Sequence, residues 1–191
     1  MVASIGYNAI TRRDVIDEYR FERFLQGDPP VGTPDGPERQ AVLGRLIRQK
    51  LLAEQIRRTA KESKNGEKMA RVTLNGVRKK FSSEAAYRSA LRSLGMTEQQ
   101  VLKRLEIYQR TLQMIDNRLR PAALPEPGEV ENYYKKTFVP QYAKGHPGPA
   151  PPLDDVRDQI REILVQEKMN QLLGHWLERL KSTHRVTIHS Y

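Results

Sequence analysis

A helix-capping motif followed by a long run of evenly spaced apolar residues indicates the fold class of this chain. From Thr97 to Pro121 the sequence reads TEQQVLKRLEIYQRTLQMIDNRLRP. Thr97 and Gln100 have the spacing of a capping box, which marks the start of a helix. The apolar positions then alternate between intervals of four and three: Val101, Leu105, Tyr108, Leu112, Ile115 and Leu119. This spacing predicts one helix with a packing seam along its length, ended by Pro121.

Similar start and stop signals precede that helix. Thr11 and Asp14 have the arrangement of a capping box and begin a first helix, which we expect to end near Gly27. Ser82 or Ser83 can cap a short helix, and Gly95 is placed to close it. The chain before Thr97 is therefore predicted to be largely helical.

Three further segments also carry helical signals. Residues 37–61 hold a broad apolar stripe at helical spacing, and 129–134 begin with acidic residues that favour a helix N-terminus. A long last helix starts at Leu153 and has two apolar stripes. Such a helix either packs between partners or keeps one face open for a ligand.

Short strands are predicted at the two ends of the chain and at one internal site. Residues 2–5 are predicted as a short strand, residues 185–189 alternate between apolar and polar side chains, and each end offers the other a partner. Asn75-Gly76 suits a tight turn, so we also expect a hairpin over 71–81, with a basic loop as the alternative. The predicted fold is mainly α, a multi-helix module with a small sheet that pairs the N- and C-terminal strands.

The positive charge is concentrated in one part of the chain. The net charge is +10, and residues 38–80 hold 13 lysines and arginines against four glutamates. The candidate basic surface consists of Arg45, Arg48, Arg57, Arg58, Lys79 and Lys80. Such a block could attract nucleic acid, a membrane surface or acidic polypeptides, or it could be a solvated helix face. Few aromatic residues lie among these charges, which disfavours stacking on single-stranded nucleic acid.

The sequence offers no recognisable catalytic chemistry. There are no cysteines, no phosphate-binding glycine loop and no nucleophile elbow, so we predict no catalytic residue, no metal site, no nucleotide and no other cofactor. His184 and His189 would point to opposite faces of a strand, which makes a poor metal pair. No apolar run approaches the roughly 18 residues that cross a bilayer, and residues 1–7 lack the regions of a signal peptide.

The order of these segments resembles the chaperone module of SurA, PpiD and PrsA-type foldases. Residues 3–11, ASIGYNAIT, are similar to the family's first strand and the Ile-Thr that opens its first helix, although Gly6-Tyr7 replaces the usual Asn-Gly turn. The segment FSSEAAYRSALRSLGMTEQQ at 81–100 and the short helix EVENYY at 129–134 are similar too. Val156 onward resembles the closing helix and strand. The resemblance covers nearly the whole chain.

The resemblance implies a chaperone that has lost a catalytic domain. In most such foldases a parvulin isomerase domain follows the Tyr-Tyr helix, whereas here that position holds only the proline-rich stretch 140–152. We therefore expect one module over 1–191, made of a helical part at 1–139, a loop at 140–152 and a closing helix and strand at 153–191. We expect no prolyl isomerase activity, although a true isomerase is an alternative.

The function implied is that of a holdase, which binds unfolded or extended polypeptides without ATP. The family works outside the cytoplasm, so we expect a periplasmic or other extracytoplasmic protein whose signal sequence or anchor has been removed. Residues that could contact clients, or equally form core, are Tyr133, Tyr134, Phe138, Tyr142, Met169 and Trp176. The alternatives are a nucleic-acid-binding module and a dimerisation module, in which an unused apolar stripe pairs two copies.

Overall fold

The computed structural model describes residues 1–59 and 64–189, and the side chains of 57–59 and 64–65 lie outside that description. The chain is mainly helical with a small antiparallel sheet, as predicted. The strands are β1 (Ala3–Ile5), β2 (Asn8–Ile10) and β3 (Val186–Ile188). The helices are α1 (Arg12–Gln26), α2 (Gly36–Thr59), α3 (Lys64–Arg78), α4 (Glu84–Leu94), α5 (Glu98–Leu119), α6 (Glu129–Tyr133), α7 (Val139–Gly145) and α8 (Leu153–Thr183). A 3₁₀ turn covers Arg120–Ala123 and a π-helical turn covers Tyr134–Phe138.

The sheet joins the two ends of the described chain. Its strand order is β2-β1-β3, with Ala3 opposite both Ile10 and Ile188. Two further backbone hydrogen bonds extend the pairing, from Val2 N to Ile10 O and from His189 N to Val2 O. The predicted pairing of the terminal strands is confirmed, whereas β2 was not predicted.

The helix termini follow the predicted capping signals. Thr11 and Asp14 form a reciprocal capping box at α1, and Thr97 and Gln100 exchange the corresponding hydrogen bonds at α5. The Ser83 hydroxyl accepts from the Ala86 N–H at the start of α4. These predictions are confirmed because each cap is a contact between residues three apart.

The hairpin predicted at 71–81 is wrong. Asn75 and Gly76 lie in the last turns of α3, whose Ala70, Leu74 and Val77 are buried. These three positions are four and three residues apart, which is the period of a helix face. They belong to a core with residues from α1, α4 and α5, and this packing outweighs the turn preference of Asn-Gly.

The seam predicted on α5 is buried only in part. Val101 and Leu105 are almost inaccessible, and Leu119 is buried. Tyr108 and Leu112, in the middle of the same seam, are 49% and 43% exposed. The spacing predicted the helix correctly. It did not predict which part of the seam neighbouring helices cover, because that depends on the tertiary structure.

The last helix is buried along most of its two apolar stripes. The buried positions are Val156, Ile160, Val165, Met169, Trp176, Leu177 and Leu180. Leu164 and Leu172 in these stripes are half-buried, and Ile163 is 41% exposed. The structure therefore supports the prediction that this helix is packed on both apolar faces, rather than the prediction that one face stays open for a ligand.

Two compact units divide the chain. The first consists of Met1–Met114 and the chain from Leu177 onward, and it contains the sheet. The second consists of Ile115–Trp176. The boundaries fall inside α5 and α8, so each of these helices contributes residues to both units.

The proline-rich loop is shorter than predicted. Pro140 lies in the first turn of α7, so the irregular connection to α8 covers residues 146–152 rather than 140–152. Proline cannot donate a helical hydrogen bond, and its ring clashes with the carbonyl four residues earlier. The π-helical turn at Tyr134–Phe138 precedes it, and there Val139 N–H bonds to Tyr134 O, a wider turn that accommodates the proline.

Gly27 closes α1 at a position that tolerates no side chain. Its φ is 88°, and a Cβ atom added there would lie 2.6 Å from the Cβ of Lys80. We expect Gly27→Ala to lower the free energy of unfolding by about 2 kcal/mol, from the left-handed backbone and from the clash together. Gly32→Ala is the control, because Gly32 has a φ of 86° with open space around it. Urea denaturation of both variants measures the difference, and equal losses would show that the contact with Lys80 is unimportant.

Candidate functional site

A row of neighbouring rings runs from the π-helical turn through α7 to His146, the residue after α7. The ring centroids of Tyr134 and Phe138 are 5.7 Å apart, and those of Phe138 and Tyr142 are 5.9 Å apart. The rings of Tyr142 and His146 stack at 4.3 Å. We call Tyr134, Phe138, Tyr142 and His146 the ring row.

The sequence explains why these rings meet. They recur at intervals of four residues, which places them above one another on one helix face. His146 is exposed, and the other three are half-buried, so each ring keeps part of its surface open to solvent. Ring pairs at these separations contribute about 0.5 to 1.5 kcal/mol each beyond their buried area. The ring row is a stable strip of aromatic surface.

The proline-rich connection returns to the start of the ring row. The Tyr134 hydroxyl donates a hydrogen bond of 2.8 Å to the backbone carbonyl of Pro151. Ala150 and Pro151 are half-buried, whereas Pro147 and Pro149 are exposed. The connection therefore touches the ring row at Tyr134, while its two earlier prolines face solvent.

Two ion pairs hold α6 against α8 within the second unit. Lys168 Nζ lies 2.7 Å from Glu129 Oε2, and this cation lowers the pKa of the Glu129 carboxyl. Arg157 Nη1 lies 2.5 Å from Glu131 Oε1 and lowers the pKa of that carboxyl in the same way. Both carboxylates also occupy the first turn of α6, where the helix dipole favours negative charge. The start of the ring-bearing segment is thus fixed in place.

A third ionic contact joins the end of α5 to α8. The Arg120 guanidinium donates two hydrogen bonds to Glu162, at 3.0 and 3.1 Å, and one to Asp116 at 2.8 Å. The bidentate contact with Arg120 lowers the pKa of Glu162 to about 2. The second unit is therefore held together by charge pairs on its surface as well as by its apolar interior.

The structure separates the six residues predicted to contact clients into two groups. Tyr133, Tyr134, Phe138 and Tyr142 are half-buried and lie on consecutive turns of one helical segment. Met169 and Trp176 are buried, at 8% and 5% exposed, and Arg118 lies over the Trp176 ring at 4.6 Å. The first four offer aromatic surface, whereas Met169 and Trp176 lie in the interior. His146 was not predicted, although its interval of four from Tyr142 was a usable signal.

The predicted basic surface is partly used inside the fold. Arg45 makes a bidentate contact with Glu22, with both hydrogen bonds at 2.7 Å. Lys80 Nζ donates to the Leu25 carbonyl at the end of α1. Arg48 and Lys79 are exposed. The side chains of Arg57 and Arg58 lie outside the described residues.

A second set of exposed apolar residues lies in the first unit. Its members are Met69 and Val72 on α3 and Ile107, Tyr108 and Leu112 on α5, each between 42% and 57% exposed. A hydrogen bond of 3.1 Å from Gln109 to Thr73 joins the two helices. The sequence did not distinguish these residues from core, because they follow the same helical spacing as buried ones.

Comparisons with protein-family models, with curated proteins and with solved structures found no match for this chain. The resemblance to the foldase chaperone module therefore stays a prediction. No helix in the described ranges is long and apolar enough to cross a membrane. Within those same ranges, no group of three or more histidine and carboxylate side chains is arranged to hold a metal ion.

Proposed function

We propose that this protein is an ATP-independent holdase that binds unfolded or extended polypeptides in an extracytoplasmic compartment. The observation that carries the proposal is the ring row, a strip of partly exposed aromatic side chains on a helix fixed by two ion pairs. Aromatic rings offer a large apolar contact area together with polar edges and hydroxyl groups. A surface of this kind can bind many sequences, because it offers a broad contact area and does not require exact complementarity to one sequence.

The connection between α7 and α8 supports a chaperone without isomerase activity. It consists of residues 146–152, and α8 begins directly afterwards at Leu153. A catalytic domain of roughly 100 residues, which is an ordinary domain size, has no room at this position. Binding of clients, rather than catalysis on their prolines, is the activity that we propose.

The nucleic-acid alternative gains no support from the basic residues. Arg45 is neutralised by Glu22, and Lys80 is bound to a helix C-terminus. A cation such as Arg45 that already has an anionic partner in the chain contributes less to phosphate binding, which depends on releasing counterions from the nucleic acid. The dimerisation alternative has the exposed apolar set on α3 and α5 as its candidate surface.

Suppression of aggregation tests the proposal directly. We expect a stoichiometric excess of this chain to reduce the light scattering of a chemically unfolded test protein after dilution. The double variant Phe138→Ser, Tyr142→Ser should weaken that suppression at least about twofold, because aromatic anchors supply most of the binding energy at such surfaces. Static light scattering of the chain alone gives its oligomeric state.

Tyr108→Ser provides the matched control, since it removes an exposed ring that lies on α5 in the first unit. It should leave the suppression unchanged. A wild-type chain without effect on aggregation would refute the holdase proposal. Equal losses in the control and in the double variant would show that the ring row is not the client surface.

A further inference from the structure

The contact between the ring row and the proline-rich connection has the chemistry of a bound peptide. Tyr134 uses its hydroxyl, a donor, and Pro151 uses its backbone carbonyl, an acceptor. Proline has no N–H, so a proline-rich segment presents mainly acceptors. Surfaces that bind such segments combine aromatic rings with hydrogen-bond donors for their carbonyls. The ring row supplies both, through its rings and through the hydroxyls of Tyr134 and Tyr142.

The two segments have similar lengths, which allows the connection to return along the helix. From Tyr134 to His146 a helix rises by about 18 Å, at about 1.5 Å per residue. From His146 to Pro151 an extended polyproline segment covers about 16 Å, at about 3.1 Å per residue. His146 ends the ring row, and Pro151 contacts the hydroxyl of Tyr134 at its start. The connection bends at residues 146–148, where Gly148 has a φ of 118°, and beyond that bend the carbonyl of Pro151 meets the hydroxyl of Tyr134.

We propose that the ring row is a binding site for extended, proline-rich polypeptide segments, and that residues 147–152 of this chain occupy its Tyr134 end in the free protein. This inference rests on the proposed function, since it names the class of client segment that the same surface takes. A client binds by displacing the internal segment, whose carbonyl at Pro151 accepts from the Tyr134 hydroxyl and whose first two prolines are exposed.

Energetic considerations favour this class of ligand. A proline-rich segment is already extended in the unfolded state, so it loses little conformational entropy when it binds. The internal segment competes with the client at the high effective concentration of a short tether, which is on the order of millimolar. The free protein therefore binds a single proline-rich segment weakly, and it binds a client with several such segments more tightly than a client with one.

Binding of a labelled peptide tests the inference. The probe is the octapeptide His-Pro-Gly-Pro-Ala-Pro-Pro-Leu, which copies residues 146–153, and its fluorescence anisotropy reports binding. In one variant, serine replaces Pro147, Pro149, Pro151 and Pro152, which keeps the connection at its natural length. We expect this variant to bind the peptide at least about tenfold more tightly than the wild-type chain, because the competing segment is weakened.

Two further substitutions locate the site. Tyr134→Phe, added to the serine variant, should weaken peptide binding several-fold by removing the donor to the carbonyl. Tyr108→Phe, which removes a hydroxyl in the first unit, should leave it unchanged. A peptide with serine in place of its four prolines should not bind. If the serine variant loses its helical circular dichroism, Pro151→Gly alone should change the affinity in the same direction.

Each contrary result overturns the inference. Equal peptide affinity in the wild-type chain and in the variants of the connection would show that the internal segment does not compete. Equal binding of the serine peptide would remove the preference for proline, and dimerisation of the serine variant would make a second copy the occupant. The aggregation assay separates the two proposals. Suppression of aggregation without peptide binding would overturn this inference but not the holdase proposal. Peptide binding without suppression would support the binding site but refute the holdase proposal.

Discussion

Replacing Phe24 by alanine should lower the free energy of unfolding by about 4 kcal/mol. Phe24 is fully buried at the end of α1, where its ring lies 5.5 Å from that of Phe81 and 5.8 Å from that of Tyr87. The Phe81 and Tyr87 rings are themselves 5.7 Å apart. Removing the Phe24 ring leaves a cavity and breaks two of these three aromatic contacts. Domains of this size are stable by only about 5 to 15 kcal/mol, so the loss is a large fraction of the total.

The surroundings of this cluster cannot easily collapse into the cavity. The Tyr87 hydroxyl donates to Glu98 at 3.1 Å, and burial, together with that carboxylate, raises the pKa of Tyr87 to about 12. Tyr87 is thus held in place by the first turn of α5. Urea denaturation followed by far-ultraviolet circular dichroism measures the effect. Leu112→Ala, at a residue that is 43% exposed, is the control and should cost less than about 1 kcal/mol. Similar losses in both variants would mean that the cluster is not a core.

Replacing Arg104 by alanine should cost about 3 kcal/mol, because it leaves a carboxylate buried without its cation. Glu18, on α1, is 2% exposed, and its side chain accepts hydrogen bonds from Arg104 and, at 2.9 Å, from Gln49. The Arg104 guanidinium also lies 3.8 Å from the centre of the Phe21 ring. The pair joins α1 to α5 across 86 residues of sequence, so its loss affects tertiary rather than local structure.

Two comparisons identify the cause of that loss. Arg71→Ala removes an exposed pair with Glu67 in α3 and should cost less than about 0.5 kcal/mol. The double variant Glu18→Leu, Arg104→Met should be more stable than Arg104→Ala alone, because it leaves no buried charge. Urea denaturation of the three variants tests this order. An Arg104→Ala variant as stable as Arg71→Ala would show that Glu18 is solvated rather than paired.

The ring row was only partly accessible to sequence reasoning. Tyr134, Phe138 and Tyr142 were candidates for client contact, and their common interval of four residues predicts one helix face. Pro140 obscured that pattern, because proline ordinarily ends a helix. The π-helical turn at Tyr134–Phe138 carries the helix past it, so that Tyr142 and His146 continue the row.

The sequence by itself determined the starts of the capped helices α1, α4 and α5, the helical class and the pairing of the terminal strands. A cap such as that of Thr11 and Asp14 is a hydrogen bond between residues three apart, so its signal lies in a few adjacent letters. The tertiary structure alone decided that Asn75-Gly76 is helical, that Trp176 is buried and that Tyr108 is exposed. Burial depends on which distant side chains cover a residue, and identical helical spacing describes a face that is covered and a face that is not.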